Sequence, residues 1–274
     1  MAGFHVLAGA QKTVAHPKVR TVDFADIVDV LRRGLDDFWE KPSHYVFLCL
    51  IYPIVGIILI TWASSGHALQ LIFPLIAGFA LLGPFAAIGL YEISRRRELG
   101  MDSSWRHAFE VLRSPAIPSM VAVGAMLMVI FLAWIFTAQA LFVWIYGPVV
   151  PESFLGFIGE ILATQQGWTL LLLGNAIGFV FALVVLSTTS VAFPLLLDRD
   201  VGAYAAIQTS ARVMLANPLP VLFWGLIVAT LLVIGSVPFF VGLAVVIPVL
   251  GHSTWHLYRK TVIAPGVRKR QSKE

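Results

Sequence analysis

Charge is scarce in this chain and cysteine almost absent. Charged residues make up 12% of its 274 positions, where a soluble domain carries about 25%. That shortage argues against a core wrapped in water. The one cysteine, Cys49, lies in an apolar run, so no disulfide framework can form. No Lys or Arg occurs in 42–94, 114–198 or 213–258. No phosphate-binding loop, dinucleotide fingerprint, zinc-protease helix or Cys/His cluster occurs either. No Asp, Glu, Lys or Arg sits deep in an apolar run, which argues against a pump with a midplane carboxylate. The first twenty residues scatter His5, Lys12, His16 and Lys18. They lack the apolar stretch of a signal peptide and are expected to be a mobile tail.

What the chain has instead is apolar length. Hydrophobic residues make up 58% of it. A span needs about 20 mainly apolar residues, and Tyr45–Ala63, Leu69–Tyr91, Ser119–Tyr146 and Trp168–Phe193 qualify. A fifth run, Val221–Tyr258, would reach roughly 57 Å as one helix. Gly235-Ser236-Val237-Pro238 near its middle is turn chemistry, so the run is expected to split in two. The expected fold class is all-α and membrane-embedded, with six transmembrane helices.

The basic residues fall before Lys41, in Arg95–Arg113, in Arg199–Arg212 and after Arg259. With six spans these four places share one face. The positive-inside rule then puts both termini in the cytoplasm. A net charge of +4 and a pI near 9.4 therefore read as inside-loop charge rather than as a nucleic-acid surface. The basic segments, including Arg268-Lys269-Arg270, are expected to meet anionic lipid headgroups.

The chain also repeats itself. Pro74, Gly78, Pro84, Glu92, Arg95 and Arg96 recur at identical spacing as Pro238, Gly242, Pro248, His256, Arg259 and Lys260. Three amphipathic stretches each end before a proline. The apolar rows are Phe24, Ile27, Leu31, Leu35 and Phe38 before Pro42; Trp105, Ala108, Phe109 and Leu112 before Pro115; and Tyr204, Ile207, Ala211 and Met214 before Pro218. Spacings of three and four predict helices. The expected bundle is thus three tandem units, about 21–94, 102–196 and 202–260, each an interfacial amphipathic helix followed by a transmembrane hairpin. A membrane domain of 21–262 and a basic tail of 263–274 follow. The middle unit departs from the pattern, carrying Pro194 and Asp198 without the two-proline spacing.

Gly83-Pro84-Phe85, Gly89–Arg96, Ala216-Asn217-Pro218, Trp224-Gly225 and Gly251–Lys260 resemble a family of predicted bacterial integral membrane proteins of unknown function, domain of unknown function 2189. The resemblance covers about Asp23 to Val262. It implies a bacterial inner-membrane setting, no activity and no catalytic residues.

Chemistry has few places to sit. By the repeat, Glu92 and His256 lie at equivalent depths, and His252 precedes His256 by one turn. With Arg95 and Arg96 these form a candidate polar cluster at a cytoplasmic mouth. It reads first as an interface network with Glu92 paired to Arg95 or Arg96. A proton or substrate relay, or a metal or haem site on Glu92, His252 and His256, is the sharper reading. Pro74, Pro84, Pro238 and Pro248 are candidate kinks or gates, read first as packing devices. Ser187–Ser190 with Asn175 reads as helix packing. Glu152 and Glu160, among Phe154, Phe157 and Ile161, suggest a short surface helix in the outer loop. No motif implies a cofactor. The functional expectation is a non-catalytic scaffold or accessory subunit of a membrane complex. The alternatives are a channel or carrier for a small or lipid-like solute, and a metal- or haem-binding protein.

Overall fold

The computed structural model describes residues 17–40, 51–62, 68–81, 83–237 and 240–263. Cys49, Lys41-Pro42, Pro238, the first sixteen residues and Arg268–Arg270 lie outside them. The described residues are helical, with α1 (Phe24–Glu40), α2 (Ile51–Trp62), α3 (Ile72–Leu81), α4 (Gly83–Ala86), α5 (Ile88–Glu98), α6 (Ile117–Tyr146), α7 (Phe154–Ala163), α8 (Gln165–Thr189), α9 (Ala192–Asp198), α10 (Ala203–Ala216), α11 (Pro218–Ser236) and α12 (Leu243–Thr261). Two 3-10 segments, Leu69–Leu71 and Trp105–Arg113, complete them. The second was expected as an α-helix and is wound more tightly.

Among the described residues, three segments are long and apolar enough to cross a membrane: α6, α8 continued by α9, and α11. At 1.5 Å per residue the 30 residues of α6 reach about 45 Å, beyond a hydrocarbon core of about 30 Å. The run Val221–Tyr258 does divide: α11 ends at Ser236 and α12 begins at Leu243. The chain doubles back tightly there, since a Cβ on Gly242 would lie 2.8 Å from the Gly235 Cα.

Local chemistry sets the ends. Asp23 caps α1 in a reciprocal box: its Oδ1 accepts from the Asp26 N–H at 2.8 Å, and Asp26 Oδ2 accepts from the Asp23 N–H at 3.2 Å. Ser153 and Thr164 cap α7 and α8 by accepting from Gly156 and Gly167. The helix expected around Glu152–Ile161 is α7, with Phe157 buried against Phe142. Between α8 and α9 the hydroxyls of Ser187, Thr188 and Thr189 donate back to Val184 and Val185 carbonyls. Such back-bonding bends helices. The Val191 N–H freed at the break donates to Ser210 Oγ of α10 at 3.1 Å.

Each amphipathic segment packs on a different part of the bundle. α1 lies along α12, the 3-10 segment 105–113 on α5, and α10 on α8 and α9. The inward rows match the expected ones only in part: Ile27, Phe38 and Ala108 are buried, and Leu31, Ile207 and Met214 pack against the core. Those of α1 are Ile27, Val30, Gly34, Asp37 and Phe38, while Phe24 and Leu35 are exposed. In the 3-10 segment Ala108 and Val111 are buried and Leu112 is exposed. In α10 the row is Ala203, Ala206, Ser210 and Val213, with Tyr204 exposed. The buried faces thus overlap the large apolar rows but lean toward small residues, Gly34 in α1 and Ala203, Ala206 and Ser210 in α10. Lipid is as apolar as leucine, so large side chains gain nothing by turning inward, and small ones let backbones close.

The charged ends of the helices meet at one end of the bundle. Arg259 of α12 pairs with Glu98 of α5 at 2.7 Å, and Tyr258 donates to Asp198 of α9 at 2.5 Å. Lys260 pairs with Asp26 at 2.6 Å and Asp29 at 2.9 Å. Residues 18–22 are clamped there too. The Arg20 N–H donates to the Thr261 carbonyl, Ile263 N–H to the Lys18 carbonyl, and Val22 N–H to Asn217 Oδ1 at 2.7 Å. The expected tail boundary at residue 20 therefore falls inside a pinned segment.

Candidate functional site

A buried polar cluster forms where α1, α5 and α12 cross. α1 runs antiparallel to α12: Asp26 and Asp29 meet Lys260, and Gly34 meets Ser253. A Cβ at Gly34 would stand 1.9 Å from Ser253 Oγ and 2.6 Å from its backbone N. Only glycine permits that approach. It brings Asp37, three residues further along the same face, onto the histidines of α12.

The Asp37 carboxylate is buried and heavily used. Oδ2 accepts from His256 Nε2 at 2.9 Å and from Ser94 Oγ at 3.0 Å. Oδ1 pairs with Arg97, whose Nε also reaches Glu40 at 2.6 Å. Ser94 Oγ lies 2.7 Å from His252 Nδ1. A hydroxyl has one proton, and an ionised carboxylate can only accept it. Ser94 therefore donates to Asp37, and His252 Nδ1–H donates to Ser94. Burial works to raise the Asp37 pKa, but the His256 hydrogen bond and the charges of His256, His252 and Arg97 outweigh it, leaving the carboxyl below its usual range.

This line of groups has the residue types of a hydrolase triad in the wrong order. In a nucleophilic serine the histidine stands between hydroxyl and carboxylate and takes the hydroxyl proton. Here the serine stands between, its proton turned to Asp37, and both Ser94 and His252 are buried. The arrangement orients and neutralises; it does not activate an oxygen for attack.

The sequence-selected residues separate into two networks. Glu92 is gripped by its own helix: Arg95 donates at 2.7 and 2.9 Å and Arg96 at 2.7 Å. Arg96 continues to Glu110 in the 3-10 segment. His252 and His256 turn instead to Ser94 and Asp37. Among the described residues no three His, Cys, Asp or Glu side chains are arranged to hold a metal ion. Asp37, Ser94 and Arg97 were not selected from sequence. Their signal was an acid on the same helical face as Ile27, Val30 and Gly34.

The aligned prolines are not equivalent in structure. The Pro74 carbonyl accepts from Trp134 Nε1 at 2.8 Å, and the Pro84 carbonyl from Tyr91 Oη at 3.2 Å. The helix is interrupted between α4 and α5, close after Pro84, whereas α12 runs through Pro248 unbroken.

The Glu92 network ends in a second titrating site. His107 sits between Asp102 Oδ2 at 3.0 Å and Glu110 Oε1 at 2.6 Å. Hydrogen bonds to Asp102 and Glu110 raise its pKa above the ordinary histidine value. A raised pKa contributes stability below the unfolded value, about 6.5, and that contribution is lost as pH rises through the folded value. Amide exchange in residues 102–113 is expected to quicken, beyond the intrinsic base-catalysed increase, as pH climbs past 7. His107→Gln should remove that pH-dependent part. Equal pH dependence in the variant would mean His107 does not clamp the segment.

Residues 72–198 match the family described as predicted integral membrane protein (DUF2189). That stretch runs from α3 through α9. No curated protein matches the chain, and no solved structure does.

Proposed function

We propose that this chain is a non-catalytic scaffold or accessory subunit of a bacterial inner-membrane assembly, built as six spans in three units with both termini cytoplasmic. The observation that carries this is the closed seam between hairpins. Gly251 of α12 meets Leu90 of α5, where a Cβ would stand 2.7 Å from Leu90 Cδ1. Gly34 meets Ser253 as closely, and Asp37, Ser94, His252 and His256 at that crossing are bonded to one another. A carrier would need an opening along the helices bearing Pro84 and Pro248, and these close contacts oppose one. The apolar surface faces outward instead: α6 exposes Val129, Phe136 and Trp144, and α8 exposes Leu172 and Phe179. Lipid or a membrane partner would cover them.

The three-unit ring draws support from the packing. Each amphipathic segment rests on the last helix of another unit: first on third, second on first, third on second. The contacts also correspond. Gly89 and Ser253 are equivalent in the repeat, and each meets a small residue, Ala108 and Gly34. Gly34 and Ser210 both lie eight residues before a proline, and Ala108 seven. Such positions suit close backbone approach. The orientation draws support from the shared charged end and from exposed Trp62, Trp144 and Trp168 at helix ends away from it, as aromatic belts require.

Native purification in mild detergent followed by mass spectrometry tests the function. A second membrane protein at fixed stoichiometry is expected. A solitary chain carrying a bound solute would instead make it a carrier.

A further inference from the structure

We propose that the cleft between residues 17–19, the last turn of α10 and Ile263 is a binding site for the headgroup of an anionic phospholipid, with Lys18 and Arg212 taking the phosphate. The inference rests on the membrane reading above and gives one partner a fixed address.

The cleft holds about 580 Å³, within the roughly 300–1,000 Å³ of ordinary ligand sites. Among the described residues its charged lining is Lys18 and Arg212, and no carboxylate lines it. A neighbouring cleft has more cations but offers less. There Lys260 already faces Asp26 and Asp29, Arg33 faces Asp29, and Arg259 faces Glu98, so among the described residues only Arg20 of its Lys and Arg side chains lacks a carboxylate partner. An anion would have to displace those carboxylates. At Lys18 and Arg212 it would meet uncommitted donors, since neither forms an ion pair with any carboxylate among the described residues.

The backbone that carries the two cations is held by the fold, Arg212 on α10 and Lys18 on a pinned segment. The Lys18 carbonyl accepts from the Ile263 N–H at 2.9 Å, and Val19 bridges to Val262. Asn217 fixes the same strand by donating to the Arg20 carbonyl at 3.1 Å. Lys18 is therefore tied to the junction of α10 and α11, beside Arg212. Pinned donors lose less freedom on binding than those of a loose tail.

The rest of the lining is apolar and points to lipid rather than to a soluble anion. Val19, Leu215 and Ile263 line the cleft with the cations. Leu215 is 80% exposed, and the apolar surface continues to exposed Leu219 in the first turn of α11, a membrane-crossing helix. Cation, then leucine, then span is the order in which a phospholipid presents phosphate, glycerol and acyl chain. A free phosphate ion has no use for the leucine.

The test uses the full chain in neutral detergent, with phosphatidylglycerol and phosphatidylcholine binding read by native mass spectrometry. Arg212→Gln and Lys18→Gln are each expected to weaken phosphatidylglycerol binding about fivefold, from about 1 kcal/mol per cation near a membrane surface. Phosphatidylcholine binding should not change. Arg32→Gln, an exposed cation of α1 outside the cleft, should leave both unchanged. Equal weakening by Arg32→Gln would reduce the effect to diffuse charge and overturn the site. So would full phosphatidylglycerol binding in both cleft variants. Inorganic phosphate that displaces the lipid at matched concentration would reassign the cleft to a free ion and overturn the lipid assignment. Binding is read on the isolated chain, so the lack of a protein partner would sink the scaffold reading and leave this one standing.

Discussion

Gly34→Val is expected to abolish recovery of folded, monodisperse protein, and Gly34→Ala to lower its thermal midpoint by several degrees. At Gly34 the first added carbon lies 1.9 Å from Ser253 Oγ, 2.6 Å from Ser253 N and 2.8 Å from its Cα. The hydroxyl can rotate away; the α12 backbone cannot. Overpacking by single carbons costs about 1–3 kcal/mol, while Gly→Ala in a helix returns up to about 1 kcal/mol. Alanine is therefore destabilising on balance. Valine adds two methyl groups at a site with no room for one. The seam must then open, and Asp37–His256 and Lys260–Asp26 open with it. Their combined loss is a large fraction of the about 5–15 kcal/mol that stabilises a folded chain. Gly83→Ala is the control, because a Cβ there meets nothing within 4 Å. It should purify like the parent. Size-exclusion recovery and thermal unfolding in detergent read all three. A Gly34→Val protein with parental yield and midpoint would mean α1 does not rest on α12.

Gly34 also marks where sequence reasoning stopped. Apolar length gave the long helices, because a run such as Ile117–Tyr146 without charge has few other uses. Turn chemistry at Gly235 gave the split between α11 and α12. What sequence hid was part of the inward face of the amphipathic segments, since Ile27, Phe38 and Ala108 were legible and the small residues beside them were not. Reading large residues as core is right for a water-soluble helix, where burial of apolar area drives packing. At a membrane surface that drive is absent between helix and lipid. Phe24, Leu35, Leu112 and Tyr204 accordingly face out, and Gly34 and Ser210 face in. The same inversion hid Asp37. The candidate cluster was legible only where both partners lay on one helix, as with Glu92, Arg95 and Arg96, three and four residues apart. Asp37 meets His256 across 219 residues of chain, and no local spacing encodes that.

Asp37→Asn is the second substitution with a large expected effect. The amide keeps the shape and one accepting oxygen, so Ser94 or His256 can still be satisfied. It cannot neutralise Arg97 or any positive charge on His256. Breaking a buried ion pair from one side costs about 3–5 kcal/mol. Arg97 is partly exposed and keeps Glu40, so the lower end, about 3 kcal/mol, is expected. The pH dependence gives an independent signature. The Asp37 pKa is held below the ordinary carboxyl value, so its unfolded form binds a proton more readily than its folded form. Its contribution is fully present above the unfolded pKa, about 3.9. It is lost as pH falls through the folded value. The parent should therefore lose stability on acidification below about pH 5 more steeply than the variant, and the two midpoints should converge. A serine nucleophile would behave otherwise, since removing its supporting carboxylate costs turnover and leaves the fold intact. If Asp37→Asn shows the parent's thermal midpoint at pH 7 and the same fall on acidification to pH 4, Asp37 does not hold the seam between α1, α5 and α12 together, and the buried line from His252 to His256 would have to serve some end other than cohesion.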